Sequence, residues 1–189
     1  MQKVILLFIS LATFAISTFA QASNRMNNYV NKVNNYINKY KNIAMVEMVR
    51  TGVPAAITLA QGILESGCGE SELAKKSNNH FGIKCKNEWT GAKVYHDDDE
   101  RQECFRVYAT PEDSYRDHSD FLKNRPYYTN LFKLKPTDYK AWAHGLQKDG
   151  YAIEKDYPQN LIRIIKMYNL EIYSDMVLKN KEGRKTDNK

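Results

Sequence analysis

The stretch that decides the fold lies at residues 60–71 and reads Ala-Gln-Gly-Ile-Leu-Glu-Ser-Gly-Cys-Gly-Glu-Ser. It closes a mostly apolar segment that begins after Pro54, a residue suited to the first turn of a helix. A segment that is apolar on most sides predicts a helix buried in the core. Gly67 is a typical residue for ending it. The sequence therefore predicts a buried helix that carries a carboxylate, Glu65, in its last turn.

Further helices are predicted on both sides of this buried helix. Upstream, apolar side chains recur at helical spacing through an Asn- and Lys-rich segment, and we expect that helix to stop at Thr51. The residues of its apolar face are Tyr29, Val33, Tyr36, Ile37, Tyr40 and Ala44. Downstream, capping and proline signals predict four more helices. Their predicted start residues are Ser71, Thr110, Thr137 and Asp156.

The hydrophobic period changes between residues 81 and 108. Three stretches, at 81–85, 94–95 and 104–108, alternate between apolar and polar residues and predict a small antiparallel sheet. The acidic run from Asp97 to Glu100 is typical of an exposed hairpin tip. The predicted fold class is α+β, a mostly helical single domain with a small β-lobe. Two lobes form a cleft, which is a common location for a ligand site.

Residues 1–22 have the features of a secretory signal peptide. Lys3 precedes a long uncharged run, and the segment ends in a small-x-small cleavage pattern at Ala22. An uncleaved membrane anchor is the alternative, because the run is nearly long enough to span a bilayer. We therefore expect an exported protein that is located in the periplasm or cell envelope or is secreted. The predicted mature domain covers 23–173, and the polar tail 174–189 is expected to be disordered.

The charge of the chain gives a weak signal about partners. The formal net charge is +6, but part of this excess lies in the predicted signal peptide and tail. The remaining domain is mildly positive, which favours a polyanionic surface such as a cell wall. It lacks the dense basic stripe on which nucleic-acid binding depends, so we expect no nucleic-acid partner.

The chain has three cysteines, and thiols of exported proteins tend to oxidise. Cys85 and Cys104 flank the predicted hairpin, so we expect a disulfide between them and a free Cys68. Cys68 with a histidine could form a cysteine peptidase pair, but it follows a helix end, whereas a helix start would lower the thiol pKa. The cysteines and histidines show no paired zinc-ligand spacing, and we expect no metal or other cofactor.

Glu65 is the first candidate for chemistry. The negative end of the helix dipole and partial burial both raise the pKa of a carboxyl group at this position. A raised pKa lets a general acid keep its proton near neutral pH. Gln61 lies four residues earlier on the same helix face, where it could line the same site. A solvated glutamate at a helix end is the alternative interpretation.

The acidic hairpin tip is the second candidate. Glycoside hydrolysis commonly uses two carboxylates, one as acid and one to activate water or stabilise positive charge on the sugar. A solvated turn is the alternative. Aromatic side chains are more numerous than a small core needs, and such rings stack on sugars or pack in cores. They are Phe81, Trp89, Tyr95, Tyr108, Tyr127, Tyr128 and Tyr151.

Several separated motifs, in order, resemble one known family. The motifs are residues 60–71, the run Asn-Asn-His-Phe-Gly-Ile-Lys at 78–84, Phe-Arg-Val-Tyr at 105–108, Leu-Lys-Asn at 122–124 with Tyr-Tyr at 127–128, and Leu-Gln-Lys-Asp-Gly-Tyr-Ala at 146–152. In these motifs the chain is similar to the glucosaminidase family of bacterial cell-wall hydrolases, glycoside hydrolase family 73. The resemblance implies a lysozyme-like fold and endo-β-N-acetylglucosaminidase activity on peptidoglycan glycan strands.

The resemblance also implies roles for individual residues. Glu65 falls on the catalytic acid and Tyr151 on a tyrosine of the site, while the second carboxylate lies in the β-lobe, where Glu100 and then Asp99 fit best. The expected substrate-binding residues are Gln61, Asn79, Phe81, Lys84, Tyr108, Tyr127 and Tyr128. We expect the protein to be a monomer and to need no cofactor. A muramidase and a non-catalytic glycan-binding module of the same fold remain alternatives.

Overall fold

The computed structural model describes residues 2–86, 89–98 and 101–186, with side chains described between Gln21 and Gly183. The chain divides into two compact units at the step from Asn35 to Tyr36, and the first unit is helical from residue 2. No helix in the described ranges is long and apolar enough to cross a membrane. The predicted cleavage after Ala22 stays a prediction.

The second unit is built mainly from helices. Helix α1 (Gln2–Thr51) ends at the predicted residue, and its part from Tyr36 belongs to this unit. The helices that follow are α2 (Ala55–Ser66), α3 (Glu72–Ser77), α4 (Pro111–Asn124), α5 (Tyr139–Lys148), α6 (Tyr157–Met167) and α7 (Glu171–Thr186), with a 3-10 helix (Pro126–Lys133) between α4 and α5. Helix α2 packs against α5, α6 and α7, which confirms the predicted buried helix.

The β-lobe contains one antiparallel pair, β1 (Lys93–His96) and β2 (Glu103–Arg106). The predicted third stretch contributes an isolated bridge from Lys84 to Phe105. The pairing of this stretch with β2 extends no further because Lys86, with a φ of 37°, leaves the extended conformation. The described residues therefore confirm a small antiparallel sheet but give it two strands.

The expected disulfide joins Cys85 to Cys104, whose Cα atoms are 5.4 Å apart. It connects the segment before the hairpin to β2. Cys68 is not part of a disulfide, as expected. By closing a loop with a sequence separation of 19, the bridge removes conformations from the unfolded chain and stabilises the fold by about 3 kcal/mol.

The end of α2 is shaped by two glycines. Gly67 caps the helix in the left-handed conformation, with a φ of 57°, which a residue without Cβ adopts at low cost. Gly62 lies under two buried tyrosines, and a Cβ there would collide with the hydroxyl oxygen of Tyr36 and press on that of Tyr115. These glycines allow α2 to end close to the tyrosine cluster, and Glu65 is in its last turn.

Two expectations about helix boundaries are wrong. Residues 174–186 are not a disordered tail but part of α7, because Ser174 Oγ accepts a 3.1 Å hydrogen bond from the Ala56 backbone N–H and Val177 is buried. Residues 187–189 of the predicted tail lie outside the described residues. The polar composition of the segment concealed these contacts with the core. Helix α5 is capped by Asp138 rather than Thr137, since the Asp138 side chain accepts from Ala141 N. The starts at Ser71, Thr110 and Asp156 are confirmed.

Candidate active site

A cleft of about 600 Å³ lies between the helices and the β-lobe of the second unit. This volume is within the usual range for small-molecule sites. The β-lobe side is formed by residues 81–84, Lys86 and Asp98. The helical side includes the end of α2, the 3-10 helix and the loop 150–154. The predicted two-lobed cleft is therefore present in the described part of the chain.

Glu65 lies in this cleft in the last turn of α2. Its side chain has exposed surface because the cleft is open, yet protein atoms crowd its carboxyl group on the other sides. The resulting desolvation, followed by repulsion from Glu154 and Asp98, raises the pKa of Glu65 to about 7. The nearby Tyr157 hydroxyl acts in the opposite direction and lowers the pKa. Glu65 can thus hold or release a proton near neutral pH.

Two further carboxylates of the described residues line the cleft, Asp98 and Glu154. Asp98 belongs to the hairpin, and its Oδ2 lies 3.7 Å from Lys84 Nζ, which also donates to Glu103 Oε1 at 2.8 Å. Asp97 instead accepts from the Gln102 backbone N–H, which lowers the pKa of Asp97. The predicted second acids, Asp99 and Glu100, lie outside the described residues.

Glu154 was missed at the level of sequence. It follows Tyr151 by three residues, in the loop after α5, and its proximity to the motif at 146–152 was the signal that the sequence offered. Gly150 ends the α5 region with a φ of 82°, and the Tyr151 backbone N–H then donates to Leu146 O at 2.9 Å. Gln147 Nε2 donates to the backbone carbonyl of Glu154. These bonds place Tyr151 and Glu154 on the same wall of the cleft.

Aromatic rings cover the helical side of the cleft. Tyr151 stacks on Tyr157 with ring centroids 5.8 Å apart, and Phe121 lies edge-on to Tyr151. Tyr127 is half exposed at the rim, where its hydroxyl accepts a 2.9 Å hydrogen bond from Arg125 Nη1. Such surfaces suit the apolar faces of sugar rings.

The hydroxyl groups of Tyr151 and Tyr157 stay protonated at all ordinary pH values. Burial raises the pKa of each well above its usual range, and the nearby charge of Glu65 adds to both shifts. They therefore serve as hydrogen-bond donors, not as bases.

The structure brings together most of the predicted site residues, though not all. Phe81, Lys84, Tyr127 and Tyr128 line the same cleft as Glu65 and Tyr151. The other three expected ligand-contacting residues, namely Gln61, Asn79 and Tyr108, do not face it.

The positions of those three side chains correct the prediction. Asn79 is buried, and its amide donates to the backbone carbonyls of Ile83 and Arg106, so it shapes the β-lobe. The Tyr108 hydroxyl donates to Asp117. Gln61 is fully buried and hydrogen-bonded to Tyr157 and His118. These residues lie within the family motifs, but their polar groups form hydrogen bonds inside the protein.

Among the side chains that the structure describes, no group of three His, Cys, Asp or Glu residues is arranged to hold a metal ion. The polar groups that line the cleft include carboxyl and phenol groups. Acid-catalysed glycoside cleavage uses a carboxyl group whose pKa lies near the ambient pH and a second carboxylate. Aromatic walls can hold the sugar beside them.

Comparison with known proteins agrees with this arrangement. Residues 41–170 match the Glucosaminidase family, described as mannosyl-glycoprotein endo-beta-N-acetylglucosaminidase. The chain belongs to this family. It is 36% identical over 132 residues to exo-glucosaminidase LytG of Bacillus subtilis (strain 168), an alignment that covers 64% of this chain and 46% of LytG. It is 33% identical over 124 residues to peptidoglycan hydrolase FlgJ of Vibrio cholerae, covering 60% of this chain and 37% of FlgJ.

The glucosaminidase fold is also found in a similar solved structure. The crystal structure of peptidoglycan hydrolase from Sphingomonas sp. A1 aligns with a TM-score of 0.65 and 31% identity, over 75% of this chain and 93% of that chain. This similarity confirms the predicted lysozyme-like α+β fold. The chain spans less than half the length of LytG and FlgJ, the two curated relatives above.

Proposed function

We propose that this glucosaminidase-family chain is a peptidoglycan hydrolase that cleaves the β-1,4 linkage after N-acetylglucosamine, with Glu65 as general acid. The observation that carries the proposal is the position of Glu65, whose pKa is raised to about 7 in a cleft of about 600 Å³ with aromatic side chains in its lining. Relatives described as an exo-glucosaminidase and as peptidoglycan hydrolases support the substrate class.

The proposed reaction begins with protonated Glu65. Its proton passes to the glycosidic oxygen as the bond to the anomeric carbon breaks, and positive charge develops on the sugar ring. A second carboxylate stabilises this charge or activates water, unless the acetamido group of the substrate attacks first. Asp98 and Glu154 are the described residues in reach of the cleft, and Asp99 and Glu100 stay candidates from the sequence.

Other residues of the cleft are proposed to hold the glycan. Tyr151 donates a hydrogen bond near the reaction site, because its hydroxyl stays protonated beside Glu65. Phe81, Tyr127 and Tyr128 provide apolar surface for sugar rings, and Lys84 provides a positive charge on the opposite wall. The monomeric state, the signal peptide at 1–22 and an exported location in the cell envelope belong to the same proposal.

The test is mass spectrometry of purified peptidoglycan after digestion. The expected products carry N-acetylglucosamine at their new reducing ends, and Glu65→Gln should yield none above background because an amide cannot supply the proton. Products with N-acetylmuramic acid at the reducing end would identify a muramidase. Binding without products from the unmodified chain would identify a glycan-binding module and would overturn the assignment.

A further inference from the structure

Arg125 is the cation that the helical wall contributes to the described lining of the cleft. It lies between α4 and the 3-10 helix, and it is partly buried. Its guanidinium carbon is 4.0 Å from the centroid of the Phe121 ring, and its Nη1 donates to the Tyr127 hydroxyl at 2.9 Å. Both partners also line the cleft. Stacking and a hydrogen bond together hold the guanidinium at the rim.

The ring under Arg125 belongs to an aromatic cluster that continues toward Glu65. Phe121 lies edge-on to Tyr151 with ring centroids 6.3 Å apart, and Tyr128 lies 5.8 Å from Phe121 and 6.4 Å from Tyr151. Tyr151 and Tyr128 line the same cleft as Glu65. Closely packed rings leave little room for other rotamers. The cluster therefore gives Arg125 a defined place in the cleft that holds Glu65.

The other two cations of the described lining lie on the β-lobe and differ from Arg125. Lys84 Nζ lies 2.8 Å from Glu103 Oε1 and 3.7 Å from Asp98 Oδ2, so two carboxylates offset its charge. Lys86 is exposed, and an exposed lysine carries a point charge on a flexible stem. A guanidinium is planar and offers five N–H donors, a geometry that matches a carboxylate. Arg125 is thus the cation of the described lining best suited to bind a carboxylate of a ligand.

A glycan strand of peptidoglycan carries its negative charge on alternate sugars. N-acetylglucosamine is neutral, whereas N-acetylmuramic acid carries a lactyl group that ends in a carboxylate or is linked to a stem peptide with carboxylates of its own. The acidic side chains in the described lining repel such a substituent when they are ionised, whereas Arg125 attracts it. The acidic side chains are Glu65, Asp98 and Glu154.

We propose that Arg125, held by Phe121 and Tyr127, binds a carboxylate of the N-acetylmuramic acid substituent and is a specificity-determining residue. This proposal rests on the proposed function, which supplies the substrate class. Because the charged substituent occurs on every second sugar, the contact favours one register of the strand relative to Glu65. In that register the linkage after N-acetylglucosamine is the one that is cleaved. The lactyl group and the stem peptide are two sources of the same carboxylate chemistry.

The direct test compares ligands that differ only in their carboxylates. Two pairs of tetrasaccharides with alternating sugars are used. In the first pair the lactyl groups are free carboxylates or methylamides, and in the second pair the stem peptides have free or amidated carboxylates. Isothermal titration calorimetry measures the Kd of each ligand for the whole chain as Glu65→Gln, with and without Arg125→Met. Methionine keeps an unbranched apolar side chain next to Phe121 but removes the charge and the donors.

The measured quantity is the preference for the carboxylate over the amide within each pair. Arg125→Met should lower this preference by about 10-fold in at least one pair, the effect of losing one charge-assisted hydrogen bond. A loss in the first pair identifies the lactyl carboxylate as a source, and a loss in the second pair identifies the stem peptide. An unchanged preference in both pairs would overturn the proposal. So would an equal weakening of carboxylate and amide ligands, because Arg125 would then act only by supporting Tyr127.

Lys123→Met is the matched control for charge. Lys123 is two residues earlier in the chain, in the last turn of α4, and its Nζ lies 4.6 Å from the centroid of the Phe132 ring. It is not part of the described lining of the cleft. The variant removes one positive charge from the same end of the helix and should change both preferences by less than about 2-fold. A fall equal to that of Arg125→Met would assign the effect to net charge and overturn the proposal.

Calorimetry does not depend on turnover, so the two proposals can fail separately. If the unmodified chain binds these ligands but releases no products from peptidoglycan, the proposed hydrolase function fails while the preferences still test Arg125. If peptidoglycan is cleaved after N-acetylglucosamine but the preferences are the same with and without Arg125, the carboxylate contact fails while the proposed function stands.

Discussion

The helical lobe and the β-lobe hold their acidic groups in different ways. Glu65 lies in the last turn of a buried helix and shares the cleft with Tyr157, whose hydroxyl accepts a hydrogen bond from the fully buried Gln61. Asp98 is exposed on a hairpin and pairs with Lys84 at 3.7 Å. Surface ion pairs of this kind contribute about 0–1 kcal/mol, whereas a buried hydrogen-bonded chain leaves little freedom. The comparison shows one acid carried by a buried, closely packed helix and another carried by an exposed hairpin.

The largest effect should come from replacing Glu65, and a smaller one from replacing Asp98, the acid of the β-lobe. Glu65→Gln should lower kcat on the order of 10³-fold, because it removes the proton donor. Asp98→Asn should lower kcat by about 10-fold, since Glu154 still supplies negative charge to the cleft. Turnover of labelled glycan strands measures both. Equal losses in the two variants would show that the lobes do not differ in the way described.

The second effect concerns the stability of the β-lobe. Replacing Cys85 and Cys104 together by Ser should lower the free energy of unfolding by about 3 kcal/mol, because the unfolded chain regains conformations that the bridge excludes. Denaturation in urea measures the change. Cys68→Ser, at the cysteine outside the disulfide, is the control and should change stability by less than about 1 kcal/mol. A similar loss in the control would argue against a specific role for the bridge.

The third effect tests how tightly the helical lobe is packed below Glu65. Gly62→Ala should lower the free energy of unfolding by about 2 kcal/mol, because the added methyl group meets the hydroxyl oxygen of Tyr36. Thermal unfolding measures it. Gly183→Ala is the control, since an added Cβ there meets nothing within 4 Å and should be neutral or slightly stabilising. Combining Gly62→Ala with Tyr36→Phe should recover part of the loss.

The smallest effect is the pH dependence of stability that Glu65 causes. Its pKa rises from the ordinary value of 4.5 to about 7 on folding, so its contribution is favourable below pH 4.5 and is lost as pH rises through 7. Glu65→Gln should therefore be more stable than the unmodified chain at pH 8, by about 1 kcal/mol after allowance for the exposed carboxyl group. Near pH 4 the difference should vanish. A difference that is constant between these pH values would refute the raised pKa.

Local sequence signals were reliable where one residue decides the local structure. Gly67 ends α2 and Thr110 begins α4 through a capping box, as predicted. The acid at the helix end was found in the same way, because dipole and burial act on any carboxyl group at that position. The disulfide followed from the hairpin that Cys85 and Cys104 flank.

Predictions that depended on how deeply a side chain is buried were less reliable. Helical spacing places Gln61 and Glu65 on one face, but it does not tell which of them reaches the cleft and which stays in the core. Gln61 is fully buried and bonds to Tyr157 and His118, from helices distant in sequence. Residues 174–186 were misjudged for the same reason, because the contact of Ser174 with α2 cannot be predicted from local composition.

The sequence by itself determined the order of helices and hairpin, the disulfide and the acid at the end of the buried helix, because these depend on backbone preferences and on neighbours along the chain. Only the tertiary structure decided that Glu154 joins Asp98 in the cleft and that hydrogen bonds connect Tyr157, Gln61 and His118. Hydrogen bonds and electrostatic effects depend on distances between atoms, and those distances exist only after α2, α4 and α6 have packed together.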